Sequence, residues 1–117
     1  MPSLRNAHIF HARYYIGQLR EADRSYYLGH DNLRRGLDLF DSGWANIRAS
    51  QVWAQQNAEL HDEAASLCIN FPYWGAHILD LRLGPRERIR WFSTRRLILS
   101  RLPTRRAPVR ALRRARW

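Results

Sequence analysis

The stretch Leu33-Arg34-Arg35-Gly36-Leu37-Asp38-Leu39-Phe40-Asp41-Ser42-Gly43-Trp44-Ala45-Asn46-Ile47 is where the fold of this chain is decided. Leu33, Leu37 and Phe40 repeat with helical spacing and put one apolar stripe on a helix over about 31–41. Asp41-Ser42-Gly43 is a turn signal, and Ser42 or Gly43 can cap the next helix. Trp44, Ile47 and Val52 start that helix, which runs to about residue 57. Trp53 points to a different side, so the helix has two contacted faces.

The same periodicity extends outward. Ala12, Tyr15, Ile16 and Leu19, continued by Ala22 and Tyr26, predict a first helix over about 6–27, broken at Gly29. Leu60, Ala64, Leu67 and Cys68 define a helix that ends at Phe71-Pro72-Tyr73, because a residue before proline is pushed out of the α region. Trp74, Ile78 and Leu81 suggest a short helix. Gly84-Pro85 opens a last one over 85 to about 99, with Pro85 at its first position and Glu87 complementing its dipole. No stretch alternates with period two, so no strand is expected. The body reads as all-α, antiparallel helical hairpins joined by tight turns.

Charge divides the chain. Residues 1–80 hold 7 Arg against 9 Asp or Glu, whereas residues 81–117 hold 13 Arg against the single acid Glu87. Lysine is absent. The expected organisation is an N-terminal extension over 1–5, a helical domain over 6–92 and an Arg-rich, irregular tail over 93–117. Pro103 and Pro108 interrupt that tail. Two origins stand for it: a frameshifted end, since GC-rich DNA read out of frame has this composition, or a genuine basic tail.

Several function classes are excluded or unsupported. No run approaches the roughly 20 apolar residues that span a bilayer, and residues 1–5 lack the apolar core of a secretory signal. A lone cysteine cannot form an intramolecular disulfide, so a reducing, cytoplasmic setting is the default. Cys68 itself reads as a buried small hydrophobe. His8 and His11 share a helix face, but no third ligand adjoins them, and a metal site needs three or four. Glu59 and the adjacent Asp62-Glu63 read as surface acids at a helix start rather than an acid–base pair. No serine sits in a Gly-x-Ser-x-Gly elbow. No catalytic, metal or cofactor motif is found, and a non-enzymatic chain is expected.

Two stretches carry a family likeness. Gly36 to Ile47, continuing to Gln51-Val52-Trp53-Ala54, and Leu79-Asp80-Leu81-Arg82-Leu83-Gly84-Pro85-Arg86-Glu87-Arg88-Ile89-Arg90-Trp91 together resemble the helical segment that precedes the tetratricopeptide repeats in bacterial signalling ATPases of the STAND (NB-ARC-containing) type. The resemblance covers residues 7–91. It implies a TPR-like α-α superhelix fragment that serves ligand or partner sensing, and so a remnant of a larger signalling protein. It does not bring the ATPase: no Gly-rich Lys-Ser/Thr loop is present, and no convincing 34-residue repeat is found.

Candidate contact residues are chosen by their chemistry. Trp53 and Tyr73 are anchors of the kind found at protein interfaces. Arg82, Arg86 and Arg90 present guanidinium forks suited to carboxylates or phosphates, or else an ion-pair network with Asp80 and Glu87. Arg95, Arg96, Arg101, Arg105, Arg106, Arg110, Arg113, Arg114 and Arg116 form a polyanion-binding candidate, whose affinity for nucleic acid would be nonspecific and strongly salt-dependent. The expected partner is a protein, with self-association through exposed apolar surface, nonspecific nucleic acid as the alternative through the tail, and no membrane.

Overall fold

The computed structural model describes residues 3–101. Among them are five α-helices and no strand: α1 (Leu4–Leu28), α2 (Asp31–Asn57), α3 (Asp62–Trp74), α4 (Ala76–Arg82) and α5 (Pro85–Ser100). The all-α expectation holds.

Helix α1 begins where Ser3 accepts a hydrogen bond on Oγ from the Asn6 amide at 3.1 Å, an N-cap that satisfies one of the orphan donors of the first turn. It ends at Gly29, whose φ of 70° places it where a Cβ is disfavoured. Its amide donates to the Ser25 and Tyr26 carbonyls. His30 also has positive φ, 52°. These two residues reverse the chain, and α2 runs back antiparallel along α1: His11 meets Ser50, Gln18 meets Leu39, and Tyr26 meets Gly36.

The seam between them follows helical spacing: Ile9, Ala12, Ile16, Leu19 and Ala22 on α1 and Gly36, Phe40, Gly43, Ile47, Ser50 and Ala54 on α2 are buried, and the backbone at Ala22 and the half-buried Tyr26 lies against Gly36.

The turn expected at Asp41-Ser42-Gly43 does not form; α2 is continuous for 27 residues. Gly43 lies on the seam, where the Gln18 side chain occupies the space a Cβ would need. Ser42 returns its hydroxyl to the Leu39 carbonyl at 3.0 Å, a helix-compatible bond. Burial of Phe40 on one side of the triplet and Ile47 on the other holds both flanks in one helix. Turn propensity of order 1 kcal/mol loses to that burial.

Pro72 likewise fails to end its helix. It sits buried inside α3, which continues to Trp74 and is capped by the Gly75 amide donating to Phe71. Phe71 is fully buried against Trp91, with ring centroids 5.8 Å apart, and this packing keeps residue 71 helical despite the proline after it. Trp74 therefore closes α3 instead of opening α4. Leu60 and Leu81, assigned to apolar stripes, are 73% and 53% exposed; Leu60 lies in the link before α3 and Leu81 on the outer side of α4. Leu33 is also exposed, so the α2 stripe starts at Leu37 and Phe40.

Helix α5 starts at Pro85 and has Glu87 in its first turn, as the dipole argument requires. It runs through the 92/93 boundary expected between domain and tail. Ile98 packs against the core, and Arg95 donates to the Ile69 carbonyl at 3.1 Å. Its fully buried Trp91 joins the layers: Trp44 of α2 lies 6.1 Å away and Phe71 of α3 meets it edge-on.

One backbone contact sets the hairpin spacing. A Cβ built on Gly36 would lie 2.6 Å from the Tyr26 amide nitrogen and 2.7 Å from the Ala22 carbonyl. Both are backbone atoms and cannot swing aside. Gly36→Ala is therefore expected to destabilise by about 1–2 kcal/mol, because overpacking outweighs the ~1 kcal/mol that alanine gains in a helix interior. Urea denaturation measures it; an unchanged or raised midpoint would show that the helices separate freely.

Candidate interaction surface

The residues picked out from sequence are dispersed by the fold. Trp53 is half-buried at the open end of the α1–α2 hairpin, stacked on His8 with centroids 5.1 Å apart. His11, beside it, bonds Ser50 at 2.8 Å through Nδ1. Tyr73 is 41% exposed at the end of α3, edge-on to Trp74, while Arg20 lies over the Trp74 ring at 4.1 Å.

Arg82 pairs with Asp41 of α2 at 2.9 Å. Arg88 pairs with Asp80 at 3.3 Å and also donates to the Asp80 carbonyl. Arg90 binds Glu87 at 2.7 Å and donates to Gln55. Arg86 is exposed at the start of α5. This is the ion-pair arrangement weighed against an anion site: acids on α2, α4 and α5 occupy three of the four arginines.

Glu87 is the hub. Its carboxylate accepts from Arg48 Nε at 2.7 Å, from Arg90 Nη2 at 2.7 Å and from Trp91 Nε1 at 3.0 Å. Partial burial acts to raise its pKa, but the hydrogen bonds and charges of Arg48 and Arg90 outweigh burial and hold it below the ordinary value of 4.5. A carboxyl depressed in the folded state stabilises fully above its unfolded pKa and loses that contribution as pH falls through the lower folded value. Melting temperature should therefore fall as pH drops below the ordinary carboxylate range. Glu87→Gln, less stable at neutral pH by roughly 1–3 kcal/mol, should flatten that fall. Parallel pH curves for the two proteins would remove Glu87 from the acid transition.

The buried Cys68 thiol is pushed up to about 12 by burial, against a smaller opposing effect from Arg90. It is unreactive at neutral pH. Glu59 of the acidic patch pairs with Arg101 at 3.0 Å, and Asp62 and Glu63 lie exposed in the first turn of α3. Of the tail arginines, Arg95 and Arg101 are thus engaged with the body, and Arg96 is exposed on α5. Arg105, Arg106, Arg110, Arg113, Arg114 and Arg116 lie outside the described residues.

Two features carry no mark in the sequence reading. The first is Asp23, buried on α1. Its Oδ1 accepts from the His77 and Ile78 amides, each at 2.8 Å, and its Oδ2 lies 3.0 Å from His77 Nδ1. Gly75 offers α4 no side-chain cap; Asp23 supplies one from a distant part of the chain. A cleft of about 460 Å³ opens beside it, lined with Tyr73, Trp74, His77, Phe92 and Arg95. A carboxylate-held imidazole resembles a general base, but the lining includes no Ser, Thr or Cys hydroxyl or thiol for it to activate, and Asp23 is engaged by the helix end.

The second is the outer side of α1. Phe10 and Tyr14 there are 77% and 64% exposed. A shallow, mainly apolar groove runs past Ala7, Phe10, His11 and Tyr14. A signal for it exists: Ala7, Phe10 and Tyr14 keep helical spacing on the side opposite Ala12, Ile16 and Leu19, a second stripe hidden by the stronger first.

Fold and surface together define an all-α protein built on one long helical hairpin, with an open apolar face. Among the described residues no helix is long and apolar enough to cross a membrane. Compared with protein-family models, curated proteins and solved structures, the chain matches none of them.

Proposed function

We propose that this chain is a non-enzymatic helical protein-interaction segment, a TPR-like piece of a larger signalling protein, and that it binds through the outer face of α1. The observation that carries this is the exposure of Phe10, Tyr14 and Leu28 on the outer side of α1, opposite the buried Ala12, Ile16 and Leu19. Large aromatics left in water on a regular row are characteristic of contact surfaces. The likeness of residues 36–54 and 79–91 to the segment preceding STAND repeats supports the same reading, since each hairpin of such an array buries a face against a neighbour.

Phe10→Glu combined with Tyr14→Glu tests it. Both side chains are exposed, so stability should change by no more than about 0.5 kcal/mol per site. Capture of a protein partner on the immobilised chain should fall at least tenfold. Equal capture by both chains, or a melting temperature many degrees lower, would overturn the assignment of this face.

A further inference from the structure

We infer that the cleft beside Asp23, where α1, α3, α4 and α5 meet, binds a planar aromatic carboxylate, with the acid group held by Arg95 and the ring laid among Tyr73, Trp74 and Phe92. Its lining shares no residue with the outer face of α1, and the two sites stand independently.

Arg95 is a cation without a counter-charge. Three arginines among the described residues are half-buried: Arg88, Arg90 and Arg95. Asp80 pairs with Arg88 and Glu87 with Arg90. The chain's ten acids all lie between Glu21 and Glu87, within the described residues, and none of them pairs with Arg95. Exposed arginines such as Arg86 and Arg96 keep their hydration. A guanidinium taken partly out of water without a counter-ion is unfavourable. The Ile69 carbonyl, 3.1 Å from Nε, anchors the group and leaves the two Nη groups as a fork that matches a carboxylate.

The surroundings of Arg95 supply the second part of the argument. It borders the cleft of about 460 Å³ together with Tyr73, Trp74 and Phe92, a volume within the range of small-ligand sites, roughly 300–1,000 Å³. Tyr73 and Phe92 leave ring surface in water, and covering it with a flat apolar ligand is favourable. Asp23 also lines the cleft but is not the missing counter-ion. Its Oδ1 is taken by the His77 and Ile78 amides and its Oδ2 by His77 Nδ1.

Charge and shape together select the ligand. A metal cation is repelled by Arg95. A simple inorganic anion makes no use of the rings, and a neutral aromatic leaves Arg95 unpaired. An aromatic carboxylate satisfies both.

Titration of the full isotope-labelled chain with benzoate, 2-naphthoate and indole-3-acetate, followed through amide chemical shifts, tests the site. At least one acid should give saturable shifts centred on residues 73–77 and 92–95. Its amide, which keeps the ring and loses the charge, should bind at least tenfold more weakly, and so should acetate, which keeps the charge and loses the ring. Arg95→Gln should weaken the acid at least tenfold, whereas Arg96→Gln, on an exposed side chain outside the cleft, should leave it unchanged. The comparison of acid with amide needs only the wild-type chain and decides the matter even if Arg95→Gln folds poorly. No saturable shift with any of the three acids overturns the site. Equal binding of acid and amide, or shifts centred away from the cleft, overturns it as well.

Discussion

Trp91→Ala is expected to lower the stability of this protein by about 3–5 kcal/mol, the range for truncating a fully buried aromatic. Domains of this size have of order 5–15 kcal/mol in total, so much of the population would unfold on mild warming. The reason is position. Trp91 is fully buried and is the residue at which α2, α3 and α5 meet, stacked with Trp44, edge-on to Phe71 and bonded through Nε1 to Glu87. Alanine leaves a ring-sized hole and frees α5 from the hairpin. Trp91→Phe keeps most of the packing and loses chiefly the indole bond, so its cost should be about 1–2 kcal/mol. Urea denaturation of the three proteins checks the order. Equal stability of wild type and the alanine variant would mean that α5 does not dock as described.

Asp23→Ala is the second large effect, about 2–4 kcal/mol, since the His77 and Ile78 amides, the latter buried, lose their acceptor and the half-exposed His77 imidazole loses its partner. The loss should be local first. Amide hydrogen exchange at His77 and Ile78 should speed up before exchange at the α1–α2 seam. Asp23→Asn retains one oxygen for the amides and should recover about half of the loss. A helix of seven residues has little intrinsic stability, so α4 depends on this cap and on burial of Ile78 and Leu79. Unchanged exchange in the alanine variant would show that burial alone holds α4.

Neither residue is visible as critical in the sequence. Trp91 stands there only as the end of a family-like stretch, and Asp23 not at all. A single acid among the polar residues of α1 carries no periodic signal; its importance comes from α4 arriving beside it. The contact candidates show the same limit. Trp53, Tyr73 and Arg82 are real features, yet the fold sends them to different places, and Arg82 and Arg90 are occupied by acids from α2 and α5. The outer row of α1 is legible in principle, because its spacing is written in residues 7–28, but two stripes on one helix cannot be ranked until one is seen to be filled.

Local chemistry is enough for what depends on nearest neighbours. Helical spacing of apolar residues, the break at Gly29 and the start at Pro85 with Glu87 behind it all arise from interactions within a few residues. The continuity of α2 through Asp41-Ser42-Gly43 and of α3 through Pro72 does not. There a local preference of about 1 kcal/mol for a turn, or the larger cost of a proline, is set against the burial of Phe40, Ile47 and Phe71, each contributing roughly 1.5–3 kcal/mol. Which side wins depends on the surface that the rest of the chain presents to those side chains, and that surface exists only once the helices have packed.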